Sequence, residues 1–181
     1  WLRGFEYPFP EQLTLSYTKR ADLRYGENPH QLAAVYRHVD PNAREAQGAV
    51  NARQLNGKAL SYVNILDADA AWTAACDFDE PTAVIVKHAT PCGIASRDDL
   101  AEAFALAFAA DPISAFGGII AINRPVDEAL AQAIRGTKHP TSGQRLFVEI
   151  IVAPEFTPGA VELLAKSKDL RILEAPRVDM A

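Results

Sequence analysis

Four short runs of β-branched and aliphatic residues constrain this chain more than any other feature: "TAVIVKH" (82–88), "GGIIAIN" (117–123), "FVEIIVAP" (147–154) and "LRILEA" (170–175). The first is continuously apolar, the pattern of a strand covered on both faces; the second reads as another buried strand, and the last two as strands. Between them lie stretches with apolar residues at helical spacing. "LDADAAWTAACDF" (66–78) is alanine-rich, and "VDEALAQAIR" (126–135) and "PGAVELLAKS" (158–167) repeat the pattern. In "SRDDLAEAFALAFAA" (96–110), Ser96 followed by Asp99 predicts a capped amphipathic helix ending near Ala110. Strands alternating with helices specify an α/β fold, a layered mixed sheet flanked by helices. The remaining segments are weaker: residues 1–22 read as an extended lead-in with "LTLSY" (13–17) as a short strand, residues 37–57 as loop, and "ALSYVNI" as strand or helix start.

A chain of 181 residues is one domain, or two small ones, with room for a real core. A net charge of −5 argues against a nucleic-acid or anionic-membrane surface, although a local basic pocket could still hold one phosphate. No apolar run approaches the ~20 residues of a membrane span, and "WLRGFEYPFPEQ" is not a signal peptide. Two cysteines, Cys76 and Cys92, make no disulfide framework and point to a reducing, cytoplasmic compartment. A chain that begins on Trp1 is expected to be a piece of a longer polypeptide.

Chemistry-bearing residues gather where the strands give out. "VIVKHATPCGIA" (84–95) ends a buried run on Lys87 and His88 and is expected to turn through Thr90, Pro91, Cys92 and Gly93. A lysine there can stabilise developing negative charge or hold a phosphate, and a histidine can move a proton near neutral pH. A surface lysine beside a hydrogen-bonded histidine fits the same letters. His88, Pro91 and Cys92 touch on the zinc-deaminase pattern H-x-E…P-C-x-x-C, but Thr90 replaces the glutamate and Ala95 the second thiolate. Cys92 therefore reads as a small buried residue rather than a nucleophile.

"LRYGENPHQ" (23–31) collects Arg24, Tyr25, Gly26, Asn28 and His30 in an irregular segment able to grip an anion or nucleotide, or simply to be solvated. His30 reads as a brace for that loop, and His38 and His139 as bystanders. "DPISAFGGIIA" (111–121) places Phe116 and Gly117 where a loop meets a strand; it is neither a dinucleotide fingerprint nor a P-loop, and a core phenylalanine in a tight turn fits equally. Glu149 is a lone carboxylate in an apolar run, so it needs a partner or an edge position facing water.

Taken in order, "LRYGENPHQ", "LSYVNILDADAAW", "VIVKHATPCGIA", "DPISAFGGIIAINR" and "FVEIIVAPEF" closely resemble the transformylase portion of the bifunctional AICAR transformylase/IMP cyclohydrolase family of purine biosynthesis. The resemblance runs from about Leu13 to Leu173. It implies formyl transfer from 10-formyltetrahydrofolate to the 5-amino group of AICAR ribonucleotide, a reaction that needs no metal. It implies that Lys87 and His88 are the catalytic pair. Arg24, Tyr25 and Gly26 match the nucleotide-gripping loop, Asn64 an active-site asparagine, Phe116 and Gly117 the pair lying against the aminoimidazole, and Glu149 an acid near the ribose. It further implies a cytidine-deaminase-like subdomain, the first of two, in a parent homodimer whose active site is completed by the second subdomain and the partner chain. On this reading the chain alone lacks residues for turnover. A module that holds a purine ribonucleotide without chemistry uses the same residues and is the competing reading.

Overall fold

The structure is a computed structural model and describes residues 11–38 and 48–178. Eight strands and four α-helices are described: β1 (Tyr17–Asp22), β2 (Ala34–His38), β3 (Arg53–Asn56), α1 (Tyr62–Cys76), β4 (Thr82–Lys87), β5 (Thr90–Ser96), α2 (Leu100–Ala110), β6 (Gly118–Ile122), α3 (Glu128–Gly136), β7 (Val148–Ala153), α4 (Pro158–Ala165) and β8 (Arg171–Glu174). β1 and β2 form an antiparallel pair, and the other six strands form one mixed sheet in the order β3-β8-β7-β6-β4-β5. The β6–β7 and β7–β8 pairings are parallel; β4 runs antiparallel to both β6 and β5, and β3 antiparallel to β8.

Alternation along each strand divides the core into two layers. Val84, Val86, Ile119, Ala121, Ile150, Val152 and Leu173 pack with Ala68, Ala71, Trp72 and Ala75 of α1. Ile85, Ile120, Ile122, Ile151 and Ile172 face the other way, onto Phe104 of α2, Leu130 and Ile134 of α3, and Leu164 of α4. Each fully buried Ile, Leu or Phe side chain contributes on the order of 1.5–3 kcal/mol, so both faces are needed to hold the sheet. Trp72, with no solvent exposure, also donates its indole N–H to the Pro176 carbonyl (2.9 Å). The α/β class and the mixed sheet between helices match the expectation from the alternating runs. Among the described residues no helix is long and apolar enough to cross a membrane.

Several local expectations are corrected. "TPCGIAS" is not the turn but strand β5, paired with β4 from Lys87↔Thr90 to Thr82↔Ser96. As the edge strand it tolerates Pro91, whose missing N–H has no ladder bond to make on the open side. Ser96 belongs to that strand, its Oγ hydrogen-bonded to Thr82 Oγ1 (2.7 Å); the α2 cap is Asp99, which accepts from the N–H groups of Ala101 and Glu102. Of the two readings of "ALSYVNI" the helix start holds, and what is corrected is the bound: α1 begins at Tyr62, four residues before Leu66. The first strand is Tyr17–Asp22 rather than Leu13–Tyr17, and Leu13 and Leu15 are exposed before it. Of the expected 37–57 loop, residues 39–47 lie outside the described residues. Its remainder carries a 3-10 turn, Ala49–Asn51, and β3, whose polar sequence masked an edge strand.

Candidate functional site

β4 delivers Lys87 and His88 to one end of the sheet. Because β4 is antiparallel to β6, its carboxyl end lies beside the amino end of β6, where Phe116 and Gly117 lead in. The amino ends of β7 (Glu149) and β8 (Arg171) lie at that same end. The site therefore uses the carboxyl end of one strand and the amino ends of three others, not the loops after the parallel strands alone.

The turn joining β4 to β5 is two residues long, His88 and Ala89, and both are left-handed, with φ of 53° and 55°. Positive φ at both central positions is the hairpin geometry that matches strand twist, normally supplied by Asn-Gly. In L-residues with a Cβ it costs roughly 1–2 kcal/mol per residue. One bond from outside the hairpin steadies it: the Ala89 N–H donates to Asp67 Oδ1 (2.8 Å) on α1. Asp67 is only 7% exposed.

Lys87 Nζ donates to the Phe116 carbonyl oxygen (2.7 Å), which leaves two ammonium protons to offer elsewhere. Gly117 holds φ of 74°, where a side chain would be strained, and its N–H donates to Phe147 O (2.8 Å). That conformation lets the Phe116 ring stand at the surface, 39% exposed, against Phe147 (centroids 5.7 Å apart) and edge-on to His139 (5.4 Å). His139, expected to be a bystander, is thus part of the ring cluster. His38 is the last residue of β2, paired with Tyr17. Lys87, His88, Thr90, Pro91, Cys92, Asp111 and Ser114 line a cleft of about 410 Å³. Hydrogen bonds from Ser114, side chain first and then backbone, hold the Asp111 carboxyl below its ordinary value. Burial, with the Asp111 charge beside it, pushes the Cys92 thiol up, and Lys87 only partly opposes this.

Arg24, Tyr25 and Gly26 do not line that cleft. Their loop docks on the start of α1: Arg24 N–H donates to Leu60 O (2.9 Å), and Tyr62 N–H to Tyr25 O (3.0 Å). The Arg24 guanidinium lies over the Tyr25 ring (4.5 Å) and donates to its hydroxyl (2.6 Å). The loop is closed by Gln31, not by the expected His30: Gly26 N–H donates to Gln31 O (2.9 Å) and Asn28 N–H to Gln31 Oε1 (2.8 Å). Asn64 forms a capping box with Ser61, its Oδ1 accepting the Ser61 N–H (3.1 Å). From Tyr62 to Asp67 the helix rises roughly 8 Å, so α1 sets the spacing between the arginine loop and the Lys–His turn. Glu149 has the partner its sequence position demanded: Arg171, 2.6 Å away, with only 3% of its side chain exposed. Arg171 also donates to Ala59 O (3.3 Å), which ties this ion pair to the segment that holds Arg24.

Sequence reasoning missed Asp67, Asp111, Ser114, Phe147 and Arg171. For Asp67 a signal existed, since it shares the inner helical face with Ala68 and Ala71, and an inward acid needs a donor. A larger cavity, about 470 Å³, is floored by Leu146, Ile151 and Leu164 and adjoins the ring cluster through Phe147. Its one carboxylate, Asp169, is paired with Lys58 (2.7 Å), so it lacks the acid–base equipment of the smaller cleft. Among the described residues no group of three or more His, Cys, Asp or Glu could hold a metal.

An ammonium with spare donors, an imidazole and an exposed ring on one edge of an α/β sheet can move a proton beside a developing anion, the equipment of a group-transfer enzyme. The chain matches the AICARFT/IMPCHase bienzyme family over residues 1–180 and belongs to that family. It is a family of purine biosynthesis whose members combine AICAR transformylase with IMP cyclohydrolase.

Proposed function

We propose that this chain supplies the formyl-transfer chemistry of the bienzyme, from 10-formyltetrahydrofolate to the 5-amino group of AICAR ribonucleotide. Support comes from the bond of Lys87 Nζ to the Phe116 carbonyl, which sets the cation beside the segment that carries the exposed ring, and from the cleft that Lys87 and His88 both line. The attacking amine is weakened by its electron-poor ring, so a base must take its proton as the C–N bond forms. His88 takes that role, a contribution typically worth about 10²–10⁴-fold. The two spare Lys87 protons face the oxyanion of the tetrahedral intermediate, and the folate leaves once N10 is protonated. Phe116 offers a face to the aminoimidazole, the Arg24–Tyr25–Gly26 loop grips the phosphate end, and on this reading Asn64 and Glu149 contact the substrate, Glu149 near the ribose.

The same reading makes the chain the first, cytidine-deaminase-like subdomain of a cytoplasmic homodimer, with the site completed by a second subdomain and the partner. The β5-β4-β6-β7-β8 order, with two antiparallel and two parallel pairings inside it, is compatible with that lineage. In the intact bienzyme, His88→Ala is expected to cut formyl transfer at least about 100-fold while AICAR ribonucleotide still binds by calorimetry. Near-normal turnover in that variant would end the assignment. Binding by the 181-residue chain without turnover in the intact enzyme would favour a nucleotide-holding module instead.

A further inference from the structure

We propose that Asp67 is a positioning residue for His88: its buried carboxylate, by accepting the Ala89 N–H, holds the left-handed His88–Ala89 turn and so aims the imidazole into the cleft. This rests on His88 being the base, as argued above.

Three observations carry it. First, the turn is intrinsically costly. Neither His88 nor Ala89 is glycine, yet both hold positive φ, and strain of this kind persists only where the surroundings over-determine it. Second, the β4–β5 ladder alone does not over-determine it. Its register shifts between Ile85 and Val86, and β5 is an edge strand whose Thr90 and Pro91 are exposed. Third, the restraint comes from the rigid side of the molecule. Asp67 sits one turn beyond the α1 capping box, next to Ala68 and Ala71 in the core under β4 and β6. A carboxylate only 7% exposed is costly to bury unless it accepts strong hydrogen bonds, and the Ala89 N–H (2.8 Å) is the one it receives among the described residues.

The consequence is a mechanical chain from α1 to the reacting proton. The helix that carries Asn64 and receives the Arg24–Tyr25 loop also holds the His88 turn through Asp67. Nucleotide grip and base would then move as one body. Without the Asp67 bond the turn can relax to negative φ, which redirects the Cα–Cβ bond of His88. A displacement near 1 Å at a reacting group can cost about 10²-fold in rate.

The test is steady-state kinetics on the intact bienzyme with His88→Ala, Asp67→Ala, Asp67→Asn, Asp67→Glu and Ala89→Gly. Asp67→Ala is expected to lower kcat by about 10–100-fold with the KM for AICAR ribonucleotide within about twofold. Asp67→Asn, which keeps an acceptor oxygen at the same reach, should lose less than about fivefold. Ala89→Gly in the Asp67→Ala background should recover at least about tenfold, because glycine enters the left-handed region without the Cβ penalty. A merely structural Asp67 predicts no such rescue. Wild-type kcat in Asp67→Ala, or a loss that Ala89→Gly leaves untouched, overturns the proposal. Should Asp67→Ala fail to fold by circular dichroism, Asp67→Glu decides: a lowered kcat restored by Ala89→Gly supports it, and wild-type kcat overturns it. If His88→Ala keeps turnover, the base assignment falls and the positioning role with it. If His88→Ala is inactive while Asp67→Ala is normal, only the positioning role falls.

Discussion

The Glu149–Arg171 pair offers the clearest stability test, because one partner is far more buried than the other. Arg171 has 3% of its side chain exposed and Glu149 34%. The guanidinium makes one strong bond, Nη1 to Glu149 Oε2 (2.6 Å), and a longer one, Nη2 to Ala59 O (3.3 Å); its Nε is buried with no partner. Glu149→Ala therefore leaves a buried cation with a single carbonyl for company. Orphaning one member of a buried pair costs about 3–5 kcal/mol, and the exposure of Glu149 brings the expectation to about 2–3 kcal/mol. At this chain length each kcal/mol moves the thermal midpoint by roughly 2–4 °C, so a fall of roughly 5–10 °C is expected. Arg171→Met in the Glu149→Ala background removes the stranded charge and should restore at least half of that loss. The full cycle, read by urea denaturation and by scanning calorimetry, isolates the coupling between the two residues. A Glu149→Ala change below about 0.5 kcal/mol, or no recovery in the double variant, would refute the reasoning, since either means that Arg171 has found other partners or water.

Two further outcomes can be checked on the same material. A Cβ on Gly93 would lie 2.0 Å from the Ala107 carbonyl oxygen and 2.9 Å from Ala110 Cβ, so Gly93→Ala must push β5 off α2. A loss of about 3 kcal/mol in urea denaturation is expected, at the top of the range for overpacking, and an unchanged midpoint would contradict the contact. Burial and Asp111 hold the Cys92 thiol above its ordinary value of 9.0, so it is protonated at pH 7.5. Alkylation of Cys92 by iodoacetamide, followed by peptide mapping, should be slow there and rise about tenfold per pH unit up to the shifted value. Lys87→Ala, which removes the opposing cation, should slow it at fixed pH; rapid, pH-independent labelling between pH 6 and 8 would rule the environment out.

What was legible in the sequence was local, and what was not was relational. Apolar runs identify β4, β6 and β7 because burial on both faces leaves little polar alternation to confuse them. Strands β3 and β5 escaped notice for the converse reason: each sits at a sheet edge, where Arg53, Gln54, Pro91 and Gly93 are tolerated or required. Ser96 and Asp99 both have helix-cap chemistry, and only the β4 ladder, which claims Ser96, decides for Asp99. The Lys87–His88 pair could be singled out from its place at the end of a buried run. No spacing rule says that its turn leans on Asp67, 22 positions earlier, or that Glu149 answers Arg171 across the same interval. Glu149 was nonetheless conspicuous as a carboxylate in apolar company, and such a group must find a donor or be ionised at great cost; Asp67 obeys the same rule but was overlooked. The partners of inward-facing acids are therefore where sequence reading hands over to three-dimensional structure, and in this chain both partners sit at the end of the sheet that carries the candidate chemistry.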